Sequence, residues 1–216
     1  MRVLAAAYYA NWKDQQITKT GLYQTPAPGG GVATISIPVV ASVGLTKLNG
    51  FELEGEYQIL QGLLFELNYN FTNSDIREYD CTTCATYLTG NPDVTGHMLP
   101  LVPKNKLTGA LTYRRKLFSN LEGFVRVEDT YRDKIYADET NLTWISPSNL
   151  VNLRLGLGTN HYSIQFFAKN LFDNKSYQSI AWAGSFLSPT IATINEWDVA
   201  PPQKPTYGVE FTAKIR

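Results

Sequence analysis

The chain has 216 residues, 12% of them aromatic, and its 19 lysines and arginines equal its 19 aspartates and glutamates. That balance gives no electrostatic footprint for nucleic acid or for an anionic membrane surface, so no nucleic-acid partner is expected. No apolar run approaches the roughly 18 residues a transmembrane helix needs, so any bilayer crossing must be made by strands.

At the start, Met1-Arg2-Val3-Leu4-Ala5-Ala6-Ala7 has the outline of a short signal peptide. Its apolar stretch, however, runs straight into Tyr8, Tyr9 and Trp12 with no settled cleavage site. The sequence instead predicts a strand beginning abruptly at Arg2, preceded by further sequence and reaching about Ile17. Leu4, Ala6, Tyr8, Ala10 and Trp12 fall on one face, with Ala7, Tyr9, Asn11 and Lys13 on the other. The segment from Thr18 to about Val32, with Pro26, Pro28 and Gly29-Gly30-Gly31, reads as a loop.

A long strand is predicted from about Ile35 to Tyr57, where Phe51, Leu53, Gly55 and Tyr57 alternate with Glu52, Glu54 and Glu56. Gln61-Gly62 turns the chain back through Phe65, Leu67, Tyr69 and Phe71, which alternate with Glu66, Asn68, Asn70 and Thr72. Ser74 to about Leu99 is polar and reads as a second long loop. It carries Cys81 and Cys84, for which a local disulfide in an oxidising compartment is the favoured reading and free thiols the next. A lone C-x-x-C falls short of the four ligands of a zinc site, and the βαβ setting of a thioredoxin-like motif is missing.

The pattern then repeats. Lys106–Tyr113 and Gly123–Tyr131 alternate on either side of a turn at Phe118-Ser119-Asn120, and a moderate loop spans about Asp138 to Ser148. Val151–Leu157 and Tyr162–Lys169 alternate around Thr159-Asn160-His161, and a last long loop covers about Ser179 to Pro205. Tyr207–Ile215 closes the chain.

These elements predict an all-β fold, an antiparallel meander of about eight long strands whose connections alternate between long and very short. Outer-membrane barrels have that rhythm, with short periplasmic turns and long extracellular loops, whereas soluble sandwiches usually lack it. In a barrel the polar faces line a wet interior. Glu52, Glu54, Glu56, Glu66, Lys106, Arg126, Glu128, Arg154, Lys169, Glu210 and Lys214 are the residues expected there. A solvated sheet face would explain each of them singly. Tyrosine (13) outnumbers phenylalanine (10), as suits aromatic girdles, though tyrosine-rich soluble sandwiches share this bias.

Signatures of catalysis are lacking. His97 and His161 have no partner at metal or triad spacing, no serine sits in a nucleophile elbow, and Gly29-Gly30-Gly31 does not lead into a helix. No enzyme activity, metal or cofactor is expected. The sequon Asn141-Leu142-Thr143 carries no weight if the chain is bacterial.

Four segments, in order, resemble the C-terminal part of TonB-dependent outer-membrane receptors. Gly50-Phe51-Glu52-Leu53-Glu54 resembles that family's G-[VF]-E-x-E strand, and Val102-Pro103-Lys104-Asn105-Lys106-Leu107 its V-P-x-H-K-L entry to a later strand. Asn170-Leu171-Phe172-Asp173, with Tyr177, resembles the N-L-F-D-x-x-Y box of the penultimate strand. Pro202 and Tyr207-Gly208-Val209-Glu210-Phe211 resemble the final strand. Three departures stand out. Asn105 replaces a basic residue or histidine, Gln203-Lys204-Pro205 replaces a proline–arginine approach, and Ala213-Lys214-Ile215-Arg216 replaces a terminal aromatic.

The resemblance implies a transmembrane β-barrel in the outer membrane of a Gram-negative bacterium. Residues 1–216 would be the C-terminal third of such a receptor, a partial barrel whose plug domain and N-terminal strands are absent. It further implies import of a scarce nutrient, a ferric siderophore or an oligosaccharide, driven through TonB, which would engage the absent N-terminal region. The partners would be outer-membrane lipid, the plug and remaining strands, and the nutrient. Tyr87, Trp144, Trp182, Phe186 and Trp197 in the long loops are the candidate nutrient contacts, with loop anchoring or an interfacial girdle as the alternative. Asp173 is assigned to structure at the outward end of a strand. A self-contained small barrel of adhesive or structural role and a soluble carbohydrate-binding β-sandwich are the competing readings.

Overall fold

In the computed structural model, residues 1–27, 29–79, 81, 84, 88, 90–184 and 195–214 are described, with backbone alone at 17–22, 34–39, 41–43, 182–184 and 195–196. β1 (Arg2–Pro26) and β2 (Val32–Leu60) form a long hairpin, followed by β3 (Leu63–Glu78), β4 (Asn105–Phe118) and β5 (Leu121–Arg132). The miniature hairpin of β6 (Ile135–Tyr136) and β7 (Trp144–Ile145) precedes β8 (Ser148–Gly158) and β9 (Tyr162–Lys169). A second small hairpin, β10 (Ser179–Gly184) and β11 (Asn195–Ala200), precedes β12 (Thr206–Ala213).

One antiparallel sheet holds eight strands in the order β1-β2-β3-β4-β5-β8-β9-β12. It is a meander whose two interruptions are the small hairpins inside long connections. A sandwich would need two facing sheets, and a self-contained barrel would pair its first and last strands. Here β1 and β12 stand at opposite ends of one open sheet, so neither competing architecture describes the chain.

Residues directly opposite in a ladder point to the same face, so the register assigns every side chain a side. Tyr57 opposes Phe65, which opposes Leu111, then Val127, Leu153, Ala168 and Tyr207. That row crosses six strand spacings of about 4.8 Å, roughly 29 Å, without meeting a polar residue. It begins near the short turn after β2 and ends at the long-loop end of β12, as strand tilts of about 35–45° require. Along β3 the apolar face runs from Leu63 to Phe71, about 27 Å of strand and close to the height of the apolar band on outer-membrane barrels. Aromatic pairs mark its two rims: Phe51 with Tyr69 and Phe71 (centroids 5.3 and 5.7 Å), and Tyr162 with Phe211 (6.2 Å).

The opposite face is polar. Glu52, Glu54, Glu56, Glu66, Lys106, Arg126, Glu128, Arg154, Lys169 and Glu210 all lie on it. Leu4, Ala6, Tyr8 and Trp12 share that polar face, because register sets Leu4 against Glu54 and Ala6 against Glu52. Their hydropathy points the other way. In β1 both faces are apolar, and pairing with β2 decides the side.

The segment Thr18–Val32 is not a loop. Thr18 to Pro26 is strand, paired with Val40 to Val32, and the turn between them includes Ala27 and the glycines Gly29, Gly30 and Gly31. Proline breaks a ladder only where its missing N–H is needed. β2 meets β3 only from Leu45 onward, so Pro26 and Pro38 sit in a two-stranded ribbon with open outer edges. The ribbon leaves the sheet at a paired kink, Asp14 (φ 51°) and Gly44 (φ 35°). A Cβ at Gly44 would fall 1.0 Å from the Glu78 carbonyl oxygen, so only glycine fits there. The loop predicted from Ser179 to Pro205 likewise contains β10 and β11.

Much of the apolar face stays exposed, Phe51, Phe65, Leu111, Val127 and Phe166 among it, and the described residues form no central core on the sheet. The buried clusters lie at the long-loop end: Ile76, Cys81, Cys84, Val94 and Leu99 in one, Ile135, Ile145 and Ile180 in the other.

Candidate functional site

The connection after β3 folds back over the polar face. Past the point where β4 begins, the loop takes over as β3's neighbour: Ile76 N donates to His97 O (3.0 Å) and Gly96 N to Ile76 O (2.8 Å). Leu99 N then donates to Ser74 Oγ (2.9 Å), which draws Leu99 down onto Ile76. Cys81 and Cys84 are joined as a disulfide with a Cα–Cα distance of 5.1 Å, and both pack in this cluster.

The tip of the β6–β7 hairpin completes the roof. Asn141 Nδ2 donates to Met98 O (2.9 Å), Met98 N donates to Asn141 Oδ1 (2.8 Å), and the His97 ring nitrogen Nδ1 meets Glu139 O at 2.8 Å. Asn141 holds φ 56°, a left-handed conformation asparagine tolerates better than most residues.

Between roof and sheet lies a cavity of about 260 Å³. Trp12, Thr46 and Ile76, neighbours across β1, β2 and β3, form its floor, and Thr46 Oγ1 donates to Gln15 Oε1 (3.1 Å). Tyr79, Leu99, Pro100 and Val102 supply the roof, and Glu78 and Glu139 also border it. Burial raises the Glu139 carboxyl above its ordinary range, with a smaller push from the Asp138 charge. Burial also pushes the Tyr79 phenol up to about 12, Glu139 adding to the effect.

Of the aromatic residues singled out in the sequence, Tyr87 and Phe186 lie outside the described residues. Trp182 faces Trp197 across the β10–β11 hairpin, and Trp197 packs against the Ile135–Ile145–Ile180 cluster. Trp144 stays 53% exposed, the Lys134 ammonium sitting 5.5 Å from its ring. Neither Trp144 nor Trp197 lines the pocket; its aromatic walls among the described residues are Trp12 and Tyr79. The alternation did place Trp12 beside Tyr8, but only the register with β2 shows that this side is the polar one.

The motif residues have structural tasks. A Cβ on Gly50 would fall 2.1 Å from Phe71 O and 2.5 Å from the Tyr8 hydroxyl, so the strands and Tyr8 can meet only over a glycine. Glu52 accepts from Asn70 Nδ2 (2.9 Å), and Glu54 stands opposite Asn68. Between Pro103 and Asn105, Lys104 O accepts from Thr72 N (2.9 Å), extending the β3 ladder to the start of β4. Asn105 accepts from the Tyr69 hydroxyl (2.7 Å) and donates to Asp133 (2.8 Å). Its amide thus ties β3 to the end of β5.

Asn170 is 1% exposed at φ 50° and ends β9 in a tight turn. Its Oδ1 accepts from Asn174 N (2.7 Å), while Nδ2 donates to Asn174 O (3.1 Å) and to Gln203 O (2.5 Å). Leu171 N donates to Val151 O (2.8 Å). Asp173, at φ 52°, pairs with Lys175. Phe172 is exposed, and Tyr177 O accepts from Arg132 (3.3 Å). Tyr207 and Phe211 stand on the apolar face. Below the pocket Arg126 bridges Glu66 and Glu128, and Glu128 meets Asn152, whose Oδ1 accepts from Asn170 N (3.1 Å). A polar chain therefore runs along the wall from β3 to the turn after β9.

Residues 2–171 match the family model described as TonB dependent receptor-like, beta-barrel. Among solved structures, the ferric yersiniabactin uptake receptor FyuA from Yersinia pestis is similar at 16% identity and TM-score 0.68, covering 97% of this chain and 27% of its own. The siderophore receptor PiuA from Acinetobacter baumannii is similar at 18% identity and TM-score 0.66, with 97% and 25% covered. BauA, the ferric preacinetobactin receptor from Acinetobacter baumannii, is similar at 15% identity and TM-score 0.55, with 96% and 26% covered. At these identities the likeness concerns the fold, and this chain spans about a quarter of the length of each of the three.

Proposed function

The chain belongs to the TonB-dependent receptor β-barrel family, and from that premise we propose that it supplies eight neighbouring strands of a larger outer-membrane barrel that imports a scarce small-molecule nutrient. The family is one of outer-membrane receptors and transporters of Gram-negative bacteria, not of enzymes. The observation that carries the proposal is the division of one open sheet into an apolar face, interrupted at Asp129, and a polar face, with a roofed pocket on the polar side. A lipid-facing wall needs the first, and a ligand passing through the lumen meets the second. Both ends of the sheet leave backbone groups that further strands of the same barrel would pair.

A ferric siderophore or an oligosaccharide is the proposed cargo, with TonB coupling through a region outside this chain. Of the three similar structures, one is a siderophore receptor, one a ferric yersiniabactin uptake receptor and one a ferric preacinetobactin receptor, which favours the siderophore. Of the loop tryptophans, Trp144 presents an open ring for first contact. The test is deletion of the coding gene in its host, with uptake of ferric siderophores and of labelled oligosaccharides measured with TonB intact and inactivated. The proposal expects one ligand class to be lost in both the deletion and the TonB-deficient strain. Unchanged uptake of both classes, with the protein recovered from the soluble fraction, would overturn it.

A further inference from the structure

We infer that the roofed pocket is a subsite for a protonated amine carried on an aromatic or aliphatic body, and that it rejects an anion of the same shape. The physiological meaning of this subsite rests on the import reading above; the binding itself does not.

Three observations carry it. The pocket is a half-open cavity of about 260 Å³ under the loop roof, large enough for a single ring with a short side chain. Its walls are apolar and aromatic: Ile76, Leu99, Pro100 and Val102, with the Trp12 and Tyr79 rings. Indole and phenol faces attract a cation placed over them by about 0.5–2 kcal/mol, depending on desolvation. The charges that border it are of one sign. Glu78 and Glu139 are carboxylates, and among the described lining residues there is no lysine, arginine or histidine.

An anionic group entering here would face the largely buried Glu139 carboxylate, with Glu78 at the exposed rim. An ammonium would face that carboxylate and the Trp12 and Tyr79 rings. Glu139 belongs to the β6–β7 hairpin and is held over the pocket through its backbone contact with His97 and the Asn141–Met98 pair, so its place does not depend on its own side chain. Burial already strains the Glu139 carboxylate. A bound cation would relieve that strain, which gives the pocket a reason to prefer one.

The test uses the full 216-residue chain refolded in a non-ionic detergent, and three isosteric fluorinated probes read by ¹⁹F line broadening. The probes are 4-fluorophenethylamine, 2-(4-fluorophenyl)ethanol and 4-fluorophenylacetate. The expected order is amine, then alcohol, then acid, with at least a tenfold gap between amine and acid at neutral pH. Glu139→Gln should narrow that gap severalfold, weakening the amine more than the alcohol. Trp12→Leu should weaken both amine and alcohol. Equal binding of amine and acid, or binding of the acid alone, overturns the charge assignment and leaves the import reading standing. Broadening of all probes that persists in Trp12→Leu assigns it to the micelle and overturns the pocket as a site. Loss of the import reading would instead show in the gene-deletion experiment, with the probe order intact.

Discussion

Replacing Asn170 with alanine tests whether the turn after β9 is held by one buried amide. The side chain makes three hydrogen bonds, two donated to Asn174 O and Gln203 O and one accepted from Asn174 N. At about 1 kcal/mol net each, their loss costs roughly 3 kcal/mol in a site that water does not reach. The φ of 50° adds about 1 kcal/mol for alanine, which asparagine avoids in part and glycine entirely. Asn170→Ala should therefore destabilise the chain by about 4 kcal/mol and Asn170→Gly by about 3 kcal/mol. Guanidinium titration of the chain refolded in detergent micelles measures the difference. Hydrogen exchange at the Leu171 and Asn174 amides localises it. An alanine variant within about 1 kcal/mol of the parent, or a glycine variant worse than alanine, would refute the reasoning.

Three further outcomes follow from the same geometry. Leu155→Arg, on the apolar face, should cost about 2–4 kcal/mol in a bilayer, whereas Arg154→Leu, one residue away on the polar face, should cost little; refolding yields and urea midpoints in lipid vesicles compare them, and equal costs would contradict the face assignment. The Glu139 carboxyl, set among Tyr79, Asp138, Glu78 and the His97 backbone contact, has a raised folded pKa. The docked roof is therefore most stable below the ordinary carboxylate range and loses that stability as pH rises through the raised value. Exchange at the Met98 amide should slow on acidification, and Glu139→Gln should abolish the trend; faster exchange at acid pH, after correction for intrinsic rates, would reverse the sign. Reduction of Cys81–Cys84 should loosen the loop by roughly 2 kcal/mol or less, since the ring it closes is small. Amide protection should fall around Val94 and Leu99 while β4 and β5 keep theirs, and simultaneous loss in both would make the disulfide global rather than local.

Much of this fold is legible in the alternation itself. Phe51 to Tyr57 and Leu63 to Phe71 bear the two-residue period so cleanly that faces follow from it, and the strand-borne charges expected on the polar side are there. Where the sequence misleads, competing physics is identifiable. Pro26 and Gly29-Gly30-Gly31 look like loop, yet a two-stranded ribbon with open outer edges has no use for every N–H. Leu4 and Ala6 look lipid-facing, yet register with Glu54 and Glu52 turns them inward. The pocket could not be read at all. Trp12, Tyr79 and Glu139 come together only because a loop replaces β4 beside β3 and a distant hairpin tip closes over it. No local pattern in the chain records that meeting.

The paired kink at Asp14 and Gly44 separates two kinds of ladder. On one side each bond in β2 is shared with a sheet of eight strands; on the other, β1 and β2 answer only to each other. The ribbon is thus a unit whose opening need not unzip anything else. Cleavage or an inserted epitope at Gly29-Gly30-Gly31 would be absorbed within the ribbon, leaving the eight-stranded wall intact. The ribbon is accordingly where sequence can change at least cost to the rest of the sheet.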